Sequence, residues 1–170
     1  MVKVKLDDDT NTYRLSKTRK KRPIPEVWAT EDMINSFKAV STSELAYQGV
    51  QSLAVNNDGL AIIGGAKGNA GIFSINDNAI KYELHVDGAI TDAVFCDGDR
   101  VALASSTGAV KIFQGETGSG GFTAHAGSVN GLAVHPCGSI LASVGADKSF
   151  AFYDISSNTL ATQVYTECGK

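Results

Sequence analysis

The sequence predicts an all-β protein built from short strands. Gly is abundant, with 18 residues among 170, whereas Pro is scarce, with 3. Many glycines with few prolines suit a chain that turns often between strands. From about residue 45 onward, strand-length apolar runs alternate with Gly, Asn and Asp, and aromatic residues recur in these runs 40 positions apart. A repeated unit made of short strands follows from these three observations.

The composition limits the classes of protein to which the chain can belong. Hydrophobic residues make up 43% and charged residues 19%, which is too apolar for a wholly disordered chain. No run approaches the roughly 20 apolar residues that cross a bilayer, and residues 1–9 lack the apolar core of a signal peptide. We therefore expect no membrane partner. Three scattered cysteines argue against a disulfide framework and against a zinc site: Cys96, Cys137 and Cys168.

The charge is divided unevenly between an arm, residues 1–44, and a body, residues 45–170. Residues 1–40 hold nine Lys/Arg against six Asp/Glu, a net charge of +3, whereas residues 41–170 hold six against twelve, a net charge of −6. An acidic surface repels phosphate. We expect the body to bind proteins or basic peptides, and to meet RNA only indirectly, within a complex.

The start of the arm lacks hydrophobic periodicity, so residues 1–25 are interpreted as an extended linker. A basic cluster lies within it and predicts a nuclear-import signal, because closely spaced cations on extended backbone suit an acidic receptor groove. A solvated tether and a nucleic-acid contact are the alternatives. The cluster consists of Lys17, Arg19, Lys20, Lys21 and Arg22.

A short helix is predicted at the end of the arm, over about residues 31–38. Thr30 is a suitable N-cap, and Glu31 and Asp32 place negative charge in the first turn, where the helix dipole favours it. No amphipathic helical pattern follows Lys38. The apolar residues of the helix can share one face and are Met33, Ile34 and Phe37.

The apolar runs of the body recur at a fixed period. A unit of about 40 residues with four strands is one blade of a β-propeller. We predict about three blades, over about residues 45–86, 87–126 and 127–168. The landmarks that share the spacing are Phe73, Phe113 and Tyr153; His85 and His125; Gly59, Gly98 and Gly138; and the strand starts Val50, Ile90 and Val129.

The third unit resembles a WD40 repeat. Tyr153-Asp154 stands where that family places its Trp-Asp pair, and Ala124-His125 stands where it places Gly-His. The resemblance implies a structural chain of hydrogen bonds that satisfies polar groups buried at the blade edge. Its members here would be His125, Ser143, Asp147 and Tyr153.

The first two units depart from this pattern. Phe73-Ser74 and Phe113-Gln114 replace the Trp-Asp pair, and a phenyl ring donates no hydrogen bond. At the position of Asp147 the second unit has Thr107. We expect their hydrogen-bonded chains to be incomplete, although the strand pattern is kept.

Three blades form only part of a ring. WD40 propellers close, usually with seven blades, so that no long sheet edge is left open. The resemblance therefore implies a partial propeller, with the remaining blades supplied by the rest of the protein or by another chain. An open arc exposes the apolar flanks of its outermost blades.

Within the WD40 class the chain resembles the pre-mRNA-processing factor 19 family over roughly residues 17–168. Residues 20–26 look like that family's linker, and residues 122–132 and 149–155 look like its blade sequences, the last with aromatic residues where most repeats carry Trp. The resemblance implies a nuclear scaffold of the NineTeen complex that docks spliceosomal proteins during spliceosome activation. The alternative is a WD40 adaptor in a complex unrelated to splicing.

Members of this family also carry a U-box, which confers ubiquitin-ligase activity, and a coiled coil. Neither is expected in this chain, because there is no room for a U-box before Lys17 and no heptad run of sufficient length. By resemblance the chain is the start of the docking domain of a U-box E3 ubiquitin ligase. It would contribute partner docking and no ligase chemistry.

No catalytic, metal or cofactor motif is found. The glycine-rich run 64–71 lacks the Gly-Lys-Ser/Thr ending of a phosphate-binding loop. The run that begins at Asp7 lacks the Gly and the bidentate Glu of a calcium loop. The three histidines have no ligand at metal-binding spacing and are His85, His125 and His135. We expect neither catalytic residues nor a metal, and no cofactor.

Overall fold

The computed structural model describes residues 4–6, 13–15, 30–39, 42, 47, 49–97 and 99–166. The chain divides into two compact units, Met1–Val40 and Ser41–Lys170. Among the described residues, no helix has the length and apolar character needed to span a bilayer.

The first unit contains two short strands where the sequence predicted an extended linker. Strand β1 (Val4–Leu6) pairs with β2 (Tyr13–Leu15) in antiparallel fashion, and Lys5 lies opposite Arg14. In both strands one basic residue separates two apolar residues. This period-2 alternation is the signal of a strand, and it is too short here to stand out in the sequence.

Helix α1 (Glu31–Asn35) begins where predicted but ends earlier than residue 38. The N–H of Ile34 donates to the carbonyl of Thr30, at 3.0 Å, as in a regular helix. The N–H of Phe37 instead donates to the carbonyl of Ile34, at 3.4 Å, an i→i+3 bond that tightens the last turn. The side chains of Ile34 and Phe37 are exposed.

The second unit consists of three four-stranded antiparallel sheets, which confirms the predicted all-β class. The first sheet contains β3 (Val50–Val55), β4 (Leu60–Gly65), β5 (Asn69–Ser74) and β6 (Ala79–His85). The second sheet contains β7 (Ile90–Phe95), β8 (Arg100–Ser105), β9 (Ala109–Gln114) and β10 (Thr117–Thr123). The third sheet contains β11 (Val129–Val134), β12 (Ile140–Gly145), β13 (Ser149–Asp154) and β14 (Thr159–Tyr165).

Each sheet is a meander in which consecutive strands are neighbours. The first strand of every sheet carries a β-bulge near its start, between Val50 and Ser52, between Ile90 and Asp92, and between Val129 and Gly131. A bulge bends the strand and increases its twist. The same irregularity in all three sheets shows that they are copies of one unit.

The sheets pack face to face in chain order, with the second sheet in the middle. Strand β8 is buried on both faces because its alternate side chains serve two cores. Leu103 packs with Ile62 and Ile72 in the core between the first and second sheets. Ala102 packs with Leu141 in the core between the second and third sheets.

The two end sheets each leave one apolar face open. Phe152 of the third sheet is 37% exposed, whereas Ile112, at the same ladder position of the second sheet, is 2% exposed. At the other end, Leu53 of the first sheet is 66% exposed, whereas its equivalent Ala93 is 2% exposed. Among the described residues, the end faces therefore keep the apolar residues of a sheet junction but have no further sheet against them.

The repeat is less regular than the sequence suggested. Residues 75–78 connect β5 to β6 and residues 155–158 connect β13 to β14, but only residues 115–116 connect β9 to β10. The shorter turn shifts the residues of β10 by two positions relative to those of β6. His85 is the ladder partner of Asn69, and the equivalent residue of the second sheet is Thr123, not His125. The equivalence of the two histidines was wrong for this reason.

Candidate functional site

Four polar side chains form a continuous set of contacts at the junction of the second and third sheets. His125 lies in the connection between β10 and β11, and its Nε2 is 2.7 Å from Ser143 Oγ on β12. On the other side of the ring, Nδ1 is 3.1 Å from Oδ1 of Asp147, in the turn between β12 and β13. The hydroxyl of Tyr153 on β13 is 3.1 Å from Ser143 Oγ. The structure thus brings together the four residues that the WD40 resemblance indicated.

The hydrogen bonds of this set run in one direction. Burial disfavours the charge of Asp147, but hydrogen bonds from Ser149, Ala126 and His125 outweigh it and hold the pKa of the carboxyl well below its ordinary value. The ionised carboxylate only accepts, so His125 donates from Nδ1 and accepts at Nε2 from the Ser143 hydroxyl. Ser143 in turn accepts from Tyr153. Every side-chain polar atom of these four residues therefore has a hydrogen-bond partner.

Two further residues belong to the network and were missed in the sequence. The Ser149 hydroxyl donates to Asp147 Oδ1, at 2.7 Å, and lies 2.9 Å from His125 Nδ1. The side-chain amide of Gln163 donates to the carbonyl of Ala124, at 2.5 Å, and to Ser149 Oγ, at 3.2 Å. Ser149 could have been found, because a turn Asp commonly accepts a hydrogen bond from the backbone two residues on, and the N–H of Ser149 donates to Asp147 Oδ1, at 3.1 Å. Nothing local in the sequence marks Gln163.

The connectivity Ser143–His125–Asp147 is that of a hydrolase triad, but its environment is that of a packed core. Ser143 is 1% exposed and His125 is 3% exposed. A nucleophile must reach its substrate, and this hydroxyl is enclosed between two sheets and bonded on both sides. The arrangement holds the sheets together and offers no surface to a substrate.

The second unit has a shorter version of this network. The Ser105 hydroxyl donates to the carbonyl of Asp87 and lies 3.0 Å from the Thr107 hydroxyl. Hydroxyl groups thus replace the imidazole and the carboxylate of the third unit. Phe113 stands at the position of Tyr153 and is buried without a polar atom to satisfy.

Other contacts tie the second sheet to the third. Oδ2 of Asp92 accepts the backbone N–H of Leu132, at 2.7 Å, next to the bulge of β11. The guanidinium of Arg100 donates from Nη1 to the carbonyl of Ile155, at 3.3 Å. These bonds cross the junction at its rim, where the apolar core ends.

The two described cysteines lie in different environments. Burial raises the pKa of the Cys96 thiol to about 11, which keeps it protonated near neutral pH. Cys137 is exposed, and hydrogen bonds from the Ser139 backbone and the His135 side chain lower its pKa. The backbone N–H of Cys137 donates to Nδ1 of His135, at 3.2 Å. Cys168 lies outside the described residues.

The remaining predicted sites are placed as follows. Within the part of the chain that the structure describes, no group of three or more His, Cys, Asp or Glu side chains is arranged to hold a metal ion. His85 lies beside Asn69, with Nδ1 2.8 Å from the amide oxygen. The basic cluster lies outside the described residues: Lys17, Arg19, Lys20, Lys21 and Arg22.

Comparison with known proteins agrees with this geometry. Residues 117–154 match the WD40 repeat model, described as WD domain, G-beta repeat. Pre-mRNA-processing factor 19 homolog 2 of Arabidopsis thaliana is 28% identical over 162 residues, a match that covers 88% of this chain and 31% of that protein. The chain therefore spans less than a third of the length of this relative.

Two solved structures share the fold at low sequence identity. The computationally designed Ika8 protein superimposes with a TM-score of 0.62 at 19% identity, covering 68% of this chain and 36% of that chain. A chain of the mitotic checkpoint complex gives a TM-score of 0.62 at 20% identity, covering 68% of this chain and 37% of that chain. Residues 117–154 are therefore similar to a WD40 repeat, and the three four-stranded sheets have the fold of part of a β-propeller.

Proposed function

We propose that this chain is a protein-docking module of a pre-mRNA splicing assembly. The observation that carries the proposal is the similarity, over most of the chain, to a protein named as a pre-mRNA-processing factor. Within this proposal the assembly is the NineTeen complex, the partners are spliceosomal proteins, and the role is exercised during spliceosome activation.

The architecture of the sheets supports docking. Three sheets with shared cores make a rigid frame, and the turns between their strands present side chains at its two ends. Residues 41–170 carry a net charge of −6, which favours basic protein segments over naked RNA. RNA would then be met only through other components of the complex.

The open end faces support completion of the ring by further blades. Phe152 and Leu53 occupy positions that a neighbouring sheet buries elsewhere in the chain, yet both are exposed. Covering such faces removes apolar surface from water and is strongly favourable. We propose that further propeller blades, from the rest of the protein or from another chain, cover them.

The role of the chain in ubiquitin transfer is proposed as docking alone. The most triad-like constellation among the described residues is closed inside a sheet junction, as the 1% exposure of Ser143 shows. In a U-box ligase of this family, the chain would hold substrate or partner proteins while the transfer takes place elsewhere. Nuclear localisation, through the basic cluster of the arm, is part of the same proposal.

Affinity purification tests the proposal. The full chain carrying an affinity tag is recovered from nuclear extract of its source, with and without ribonuclease treatment, and the retained proteins are identified by mass spectrometry. We expect splicing proteins to be enriched and to remain after the RNA is digested. A stable set of partners unrelated to splicing would establish the adaptor alternative, and loss of all partners with the RNA would overturn protein docking.

A further inference from the structure

A groove of about 570 Å³ lies at one end of the junction between the first and second sheets. It runs between the β3–β4 turn and the β7–β8 turn. Its apolar wall comes from Leu60, Tyr82 and Phe95, and its rim carries the carboxylates of Asp58 and Asp99. A smaller cavity beside it shares Asp58, Phe95 and Asp99 and adds Asp97.

The groove exists because the second sheet has a shortened turn. At the next junction, residues 155–158 of the β13–β14 turn fill the corresponding space: Ile155 is buried in the core, and Asn158 lies against Gly120 of the second sheet. At the first junction the turn between β9 and β10 has only Gly115 and Glu116. Gly115 stands at the position of Ile155 and has no side chain to place there.

The next junction also shows which group fills such a space. There Arg100 donates from Nε to the carbonyl of Asp97, at 2.9 Å, and from Nη1 to the carbonyl of Ile155, at 3.3 Å. A guanidinium therefore closes the rim of that junction. At the first junction the equivalent of Arg100 is Leu60, whose side chain is uncharged and shorter than that of arginine.

The chemistry of the groove is complementary to a cation. Burial raises the pKa of the Tyr82 phenol, and the negative charges of Asp99 and Glu116 raise it further, so the carboxylates act on the groove wall. Lys81 contributes one positive charge to the lining, against the carboxylates of Asp58 and Asp99. Aromatic rings beside carboxylates suit guanidinium, which stacks on the rings and bonds the carboxylates in bidentate fashion.

We propose that this groove binds the arginine side chain of an extended segment of a partner protein. The guanidinium would occupy the place that Arg100 takes at the neighbouring junction, bonded to Asp58 and Asp99 and stacked on the groove's aromatic wall. The inference rests on the docking function proposed above. It identifies this groove as one place where a partner protein contacts the chain. A phosphate-rich ligand is disfavoured by the same carboxylates.

A peptide titration tests the groove. The full chain, fused to a solubilising carrier, is titrated with a fluorescein-labelled seven-residue peptide that has one central arginine between small residues, and binding is followed by fluorescence anisotropy. The control peptide carries citrulline, which keeps the shape of arginine without its charge. We expect the citrulline peptide to bind at least about tenfold more weakly.

Three variants connect the binding to the groove. Asp58→Asn with Asp99→Asn keeps the turn geometry, because Asn tolerates the positive φ of residue 99, and we expect it to weaken arginine binding at least about tenfold. Asp87→Asn removes an exposed carboxylate from the β6–β7 connection and should leave binding unchanged. Leu60→Arg places a guanidinium inside the groove and should abolish peptide binding, with circular dichroism reporting on the fold.

Equal binding of the arginine and citrulline peptides would overturn the inference, and so would unchanged binding by the Asp58→Asn, Asp99→Asn variant. If either titration result is obtained while splicing proteins are still recovered from extract, the arginine groove is rejected and the docking function stands. Loss of those proteins from the unmodified chain would instead reject the docking function itself.

Discussion

The carboxylate of Asp147 lies 3.1 Å from Nδ1 of His125, across the junction between the second and third sheets. Its second oxygen accepts the N–H of Ala126, at 3.0 Å. One turn residue of the third sheet therefore fixes both the side chain and the backbone of the connection that enters it. The arrangement makes the junction sensitive to a single side chain.

Replacing Asp147 should measure the strength of this link. We expect Asp147→Ala to lower the free energy of unfolding by about 1–3 kcal/mol, because it leaves buried donors of His125 and Ser149 without their acceptor. Chemical denaturation followed by circular dichroism gives the value. The control is Asp87→Ala, an exposed carboxylate whose loss should change stability by less than about 0.5 kcal/mol. Equal stability of the two variants would contradict the structural role.

Stability should also fall in acid because of Asp147. The folded chain lowers the pKa of this carboxyl, so its contribution to stability is complete above the ordinary carboxyl pKa of about 4 and is lost as the pH falls below that value. We expect the free energy of unfolding of the native chain to fall more steeply between about pH 5 and pH 3 than that of Asp147→Asn. Parallel denaturation series at each pH test this, and equal slopes would count against it.

The turn between the second and third strands of each sheet requires a left-handed residue. Gly108 has φ +91°, and a Cβ there would lie 2.2 Å from the carbonyl oxygen of His125. Lys148 occupies the same position of the third sheet with φ +62°. We expect Gly108→Ala to destabilise the fold by more than about 2 kcal/mol, and Lys148→Gly to stabilise it by up to about 1 kcal/mol. Thermal unfolding separates the two, and a neutral Gly108→Ala would refute the close approach.

The open face of the third sheet should promote self-association. Val144 and Val164 are exposed on this face, both in ladder contact with Phe150. We expect Val144→Lys with Val164→Lys to raise the monomer fraction in sedimentation velocity while the far-UV spectrum stays unchanged. The control variant, Thr117→Lys with Ser156→Lys, adds the same charge at exposed positions elsewhere in the second unit. If both pairs improve solubility equally, net charge and not the face is responsible.

The basic cluster of the arm should direct the protein to the nucleus. Changing Lys20, Lys21 and Arg22 to Ala removes closely spaced cations, and we expect a fusion too large for passive diffusion to move to the cytoplasm. A control variant removes three charges elsewhere in the arm, at Lys3, Lys5 and Arg14. Fluorescence microscopy compares the two, and an unaltered distribution of the first variant would reject the import signal.

Most of the fold could be predicted from the sequence because strand patterns are local. Alternating apolar residues and turn residues such as Asn57-Asp58-Gly59 mark the strands, and the aromatic spacing marks the repeat. The four polar residues at the third sheet followed from a resemblance based on that spacing. The class of fold therefore depended on short-range information.

The rest depended on long-range geometry. Gln163 reaches the carbonyl of Ala124 only because β14 brings it beside the preceding connection. The two histidines looked equivalent because they are 40 residues apart, although the β9–β10 turn is two residues shorter than the β5–β6 turn and the connection after β10 is one residue longer than the connection after β6. The same shortened turn opens the groove beside Leu60. No local sequence pattern predicts this groove.

The segment 117–154 that matches the WD40 model begins on the outer strand of the second sheet and ends on the third strand of the third. The repeat defined by the sequence match and the structural unit, a four-stranded sheet, are thus out of phase by one strand. Tandem duplication of the segment would add no free-standing module, since each new copy would lend its first strand to the blade before it. Each repeat added in this way would be joined to the preceding sheet by a shared strand.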